Sequence, residues 1–156
     1  MTDNKTEVFL GGACGSTTWR GRIAIPALEA AGVSYYNPQL GPGEWTPARL
    51  TEETEAKANS AVLLFVINAE SRGVASLAEA AFFLGRGRPI ALVVSDIGEA
   101  DSIDGERLGA AERKDLNRGR IFVRSMAQEA GVDVFADVES AVEQAIRLAR
   151  AARKAG

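Results

Sequence analysis

The chain reads as a doubly wound α/β protein of the flavodoxin-like (Rossmann-like) class, a five-stranded parallel sheet in a three-layer α/β/α sandwich. Three observations predict it. The apolar run Ala61–Ile67 (AVLLFVI) is unbroken, as suits a strand buried on both faces. Strand-like and helix-like segments alternate five times. Helix–Gly–strand joints recur in EAAGVSYYN and QEAGVDVFAD, with glycine just past a helix end.

In order, Glu7–Gly12 (EVFLGG) is the first strand and runs into the loop GGACGSTT. Thr17 or Thr18 caps a helix through Trp19, Ile23, Leu28 and Ala31 that stops at Gly32. Pro26 lies inside it and should kink or split it. Val33–Asn37 (VSYYN) is the second strand, and Pro38–Trp45 a turn-rich loop. Thr46-Pro47 opens a helix to about Asn59, with proline at its first position. After the third strand, the loop from Asn68 leads into an alanine-rich helical segment, Ala80–Gly87, that ends at Gly85 and Gly87. Arg88–Ser95 is strand four, and Asp96–Glu106 reads as a mobile acidic loop. Arg107–Ala130 is a long helix weakened in its middle by Asn117 and Gly119. Val132–Phe135 is strand five, and Asp137 caps a last helix with Val138, Val142, Ile146 and Ala149 at helical spacing.

Composition narrows the chemistry. The 156 residues suit one domain over 1–156, with an ordinary apolar share of 46%. A net charge of −3 lacks the basic footprint of a nucleic-acid binder. With no histidine, Ser-His and Cys-His pairs are absent and a zinc site is not expected. The single Cys14 allows no intrachain disulfide and fits a reducing compartment. The polar start MTDNKTEV and the lack of a long apolar span predict a soluble cytoplasmic protein. Neither GxGxxG nor GxxxxGK[ST] is present, so no nucleotide cofactor is indicated.

The candidate centre is Glu79, read as lying in the first turn of the helix after strand three, at the carboxyl edge where such sheets bind ligands. Two readings compete there. Glu79 is a nucleophile, or Ser76-Leu-Ala-Glu79 is a capping box that ties the carboxylate to its own helix. In the first βα loop, Gly11, Gly12, Gly15, Ser16 and Thr17 suit an anion or sugar hydroxyls, with Arg20 nearby; a tight turn also needs such glycines. Tyr35, Tyr36, Asn37 and Gln39 suit a planar hydrogen-bonding ligand, with Trp45 as a cover; alternatively the tyrosines pack and Asn37-Pro38 turns. Glu52 and Glu55 share a helix face with Asn59, either toward a sugar or toward solvent.

With those residues in place, the chain resembles the nucleoside 2-deoxyribosyltransferase-like family in its shorter bacterial and fungal branch. The matching stretches are VFLGGACGSTTWRGRIAIPALEAAGVSYYNPQ, EAKANSAVLLFVI, ASLAEAAFFLGRGRPIALVV and NRGRIFVRSMAQEAGVDVFADVESAV. The resemblance implies that Glu79 attacks C1′ of a (deoxy)ribosyl N-glycoside of a nucleoside or nucleoside 5′-monophosphate. A covalent glycosyl-enzyme then passes the sugar to a second base or to water, by the two-step logic of retaining glycosidases. It adds Trp19 to the binding set and implies a homodimer or higher oligomer, with no cofactor. Two positions depart from the better-known transferases: Phe9 replaces a tyrosine beside the nucleophile, and Gly73 replaces an aspartate that assists the base. Asn68, Glu70 or Glu55 are candidates for that assisting role, and Arg72 and Ser76 suit a substrate phosphate. The alternative is a non-catalytic nucleotide-binding or sensing module on the same fold. A phosphoacceptor receiver is set aside, because strand one ends Leu10-Gly11-Gly12 and strand three ends Ile67-Asn68, without the required acids.

Overall fold

The computed structural model describes residues 5–41 and 43–156. Residues 1–4 of the polar start, and Pro42 of the turn-rich loop, lie outside them. Five parallel strands form the main sheet: β1 (Val8–Gly12), β2 (Tyr35–Tyr36), β3 (Val62–Ile67), β4 (Ile90–Val94) and β7 (Val134–Phe135). Their order is β2-β1-β3-β4-β7, the flavodoxin-like order. The outermost strands are shorter than the sequence suggests, two residues each, because each pairs along one edge only.

Side chains alternate across the sheet, as pleating requires. Val8, Leu10, Val62, Leu64, Val66 and Val93 face α1 (Ile25–Ala31) and α5 (Val138–Ala155). Phe9, Leu63, Phe65, Ile67, Leu92 and Val94 face the other layer, α2 (Pro47–Asn59), α3 (Val74–Gly85) and α4 (Ala110–Glu129). All six residues of β3 are buried, each large one contributing about 1.5–3 kcal/mol by leaving water.

The first helical segment is not broken at Pro26, since Ala24 and Ile25 both keep helical dihedrals, but its winding changes just before the proline. Arg20–Ala24 forms a π-helical turn, and α1 then begins at Ile25. Proline thus falls in the first turn of α1, where its missing N–H costs no bond. Gly32 ends α1 at φ 65. Asp137 caps α5, accepting from the Ser140 N–H.

Two expectations are corrected. The acidic segment after β4 is ordered: β5 (Ser102–Ile103) and β6 (Glu106–Arg107) pair as an antiparallel hairpin. Ile97, Ile103 and Leu108 are buried together under it. Asp104 and Gly105 both have positive φ, the conformation an Asp-Gly hairpin turn selects. The second correction concerns the start of α4, which is Ala110 because Arg107 belongs to β6; the long helix itself stands and runs unbroken through Asn117 and Gly119. Asn117 bonds both the N–H and C=O of Ile97. A Cβ on Gly119 would lie 3.2 Å from Leu77, so the glycine lets α3 and α4 approach.

Candidate active site

At the carboxyl edge, the loops after β1 and β3 are tied to each other. Gly11 is packed under Phe65, where an added Cβ would lie 2.8 Å from the ring. Gly12 has φ 134 and runs against the Val66 carbonyl. Arg20 is fully buried, and its guanidinium donates to the carbonyls of Leu10 (3.0 Å), Ala13 (2.9 Å) and Gly12 (2.9 Å). Burial pushes it down to about 10, against the opposing pull of Cys14, Glu53 and Glu70. It is therefore a loop anchor, not the ligand contact its position suggests.

The anion expected beside this loop is the chain's own. Glu70 accepts from the Thr18 hydroxyl (2.7 Å) and the Thr18 N–H (3.3 Å). Asn68 accepts from the Glu70 N–H and donates to its carboxylate, closing a turn rather than facing Glu79. Thr17 is buried and donates to Ala13 O. Ser16 donates to Asp104 across to the hairpin. Gln39 spans to Gly15 O and Thr17 O, while Asn37 accepts from the Gln39 N–H. Ser16, Thr17, Asn37 and Gln39 thus each bond within the chain.

A second buried arginine does the same for the loop after β3. Arg120 donates to the carbonyls of Ser95, Asn68, Ser71, Arg72 and Leu116. Burial holds its guanidinium below the usual arginine range. Gly73, with φ 69, turns this loop into α3 as its N-cap residue. The helix therefore begins at Val74, and Glu79 lies in its second turn rather than its first. The capping box does not form: Ser76 is already inside the helix and buried, and no side chain caps it.

Freed from that role, the Glu79 carboxylate accepts from the ammonium of Lys57, which crosses from α2. Lys57 is 4% exposed and lies 3.5 Å from Glu53. Its ammonium stands over the Phe9 ring at 5.2 Å, and Phe9 stacks on Tyr36 at 5.5 Å. A buried ammonium is retained only when paired, and here two carboxylates share it. Arg88 holds the end of α2 by donating to Lys57 O and Ser60 O. Glu53 and Lys57 are four residues apart and share a helix face; Glu55, halfway between, projects away and is exposed.

Glu79 and Lys57 line a cavity of about 520 Å³ between α2 and α3, with Thr54, Phe82, Phe83 and Arg86 among its walls. Volumes of this order hold small organic ligands. The structure does not bring the loop residues Gly11, Gly12, Ser16, Asn37, Gln39 or Asn68 to this cavity. Trp19 is a core residue at 2% exposure, and Trp45 stands exposed outside the lining. Arg72 is paired with Glu112 instead. Tyr36 reaches the site only through Phe9 and Lys57. Lys57 is what sequence reading missed. Its signal was the Glu53–Lys57 spacing, which sets the pair on one face.

Residues 5–97 match the family described as nucleoside 2-deoxyribosyltransferase like. The chain belongs to this family. The match covers β1 to β4 and so includes Phe9, Glu53, Lys57, Gly73 and Glu79; the fourth stretch quoted above, 117–142, lies beyond it. No curated protein matches the chain. Among the described residues, no helix is long and apolar enough to cross a membrane.

Proposed function

We propose that this nucleoside 2-deoxyribosyltransferase-like protein cleaves or transfers the (deoxy)ribosyl group of a nucleoside or nucleoside 5′-monophosphate through Glu79. The observation that carries this reading is a carboxylate released from its own helix and set in the wall of a ligand-sized cavity beside aromatic rings. One Glu79 oxygen forms the C1′–O bond as the C1′–N pair leaves with the base, which takes a proton from solvent. Water or a second base then attacks C1′ from the opposite face and restores the carboxylate, so configuration is retained. Phe82 and Phe83 suit stacking with a planar base. A 5′-phosphate would meet Arg86 and Arg88, the guanidinium groups in the lining.

The test is release of free base from a panel of nucleosides and their 5′-monophosphates. Glu79→Gln should lower the rate at least 100-fold, the scale of losing a covalent nucleophile. Unchanged release in that variant would exclude the mechanism.

A second reading, a nucleotide-binding module without turnover, is favoured by Phe9, which puts an apolar ring where a polar partner would assist the sugar. Saturable nucleotide binding with no base released at high protein concentration would establish it instead. Assembly as a dimer or larger oligomer is part of the proposal. It is supported by large apolar side chains left exposed on the outer helices, Val74 and Phe82 on α3 and Ile121 and Phe122 on α4.

A further inference from the structure

Resting on the reading of Glu79 as nucleophile, we infer that Lys57 is its positioning residue, with Glu53 as the ammonium's second anchor. The three groups form one charge unit: Lys57 bonds Glu79 and lies 3.5 Å from Glu53. With both acids ionised and the amine protonated, the unit carries a net charge of −1. When Glu79 becomes a glycosyl ester it loses its charge, and Lys57 is left paired with Glu53, so the buried ammonium is never stranded. When water or a base removes the sugar, the carboxylate returns to Lys57. The ammonium also occupies one oxygen of Glu79, leaving the other for C1′.

The surroundings favour this assignment. Lys57 has almost no contact with solvent, its ammonium lies over Phe9, and Arg88 fixes the backbone that carries it. Thr54, Arg86 and Arg88 are the other polar or charged residues lining the cavity. Tyr36 is the titratable group behind Phe9, and the buried Arg20, which is bonded to the loop after β1, feels the charge of Glu53. None of these comes between Lys57 and its two carboxylates, so the two variants below change the charge around Glu79 in opposite directions.

Lys57→Met keeps the length and removes the charge. It leaves two carboxylates facing each other, and the acid limb of base release should move upward by about one pH unit or more. Glu53→Gln removes the competing carboxylate, so the acid limb should move downward. Opposite displacements cannot come from general damage to the fold. Lys57→Arg, which keeps the charge, should recover most of the parent profile. Acid limbs that stay together in all three variants would overturn the inference. If the parent releases no base, the glycosidic reading fails on its own. The positioning role is then read from carboxyl-¹³C NMR, with the Glu79 signal identified by its loss in Glu79→Gln. Its titration should move up in Lys57→Met and down in Glu53→Gln. No movement in either variant would refute the role of Lys57.

Discussion

Single residues decide where the carboxyl-edge loops can go. Gly73 is the clearest case. It joins Asn68–Gly73 to α3 in a left-handed conformation, and an added Cβ would lie 3.0 Å from the Ile67 side chain. A side chain there is strained twice, by φ and by contact. Gly73→Ala should lower stability by about 1–2 kcal/mol, read as a lower midpoint in urea with unchanged slope. Gly11 is a glycine for another reason, the Phe65 ring beneath it, and no ligand is needed to explain it. The sequence shows that these positions are glycine; only the neighbouring atoms show which constraint each one answers.

At the scale of elements, the hairpin after β4 behaves as a unit apart. Ile97, Ile103 and Leu108 form their own cluster, with Leu116 packed against it, separate from the two clusters that flank the sheet. Ile103→Ala should cost this unit about 2 kcal/mol. The hydrogen exchange of amides 102–107 should speed up about thirtyfold while β3 keeps its protection. Equal acceleration in β3 would show that the hairpin unfolds only with the whole sheet. The Asp104-Gly105 pair was a readable hairpin signal, obscured by the acidic residues around it. Strands and helices were legible for the opposite reason: in β3 and β4 burial on both faces removes polar residues altogether, and α5 repeats its apolar positions at helical spacing.

Across the whole molecule, contacts distant in sequence were the part that could not be read. The Lys57–Glu79 pair joins residues 22 apart on two helices, and the acceptors of Arg20 and Arg120 are, Thr17 Oγ1 aside, backbone carbonyls, which leave no pattern in a sequence. Among the described residues, the longest-range ion pair joins Glu7 before β1 to Arg153 near the end of α5, and Glu7 also accepts from Ser34. The Arg153 bond, with help from Ser34, holds the Glu7 carboxyl below the usual glutamate range. Its folded value lies below its unfolded one, so this contribution is complete above the ordinary glutamate range and is lost as pH falls through the depressed value. Glu7→Gln should therefore melt lower than the parent near neutral pH, and the gap should close as pH falls below the ordinary glutamate range and through the depressed value. A gap that stays constant over that interval would show that the pair adds nothing. The two buried arginines carry a further consequence for how such a protein can diverge. They grip mainly main-chain oxygens, which every amino acid supplies, so Ala13 or Ser71 can be exchanged without losing the bond to its carbonyl. A library randomised at those two positions, with both guanidinium groups retained, would explore new surface chemistry while the anchoring bonds stay in place.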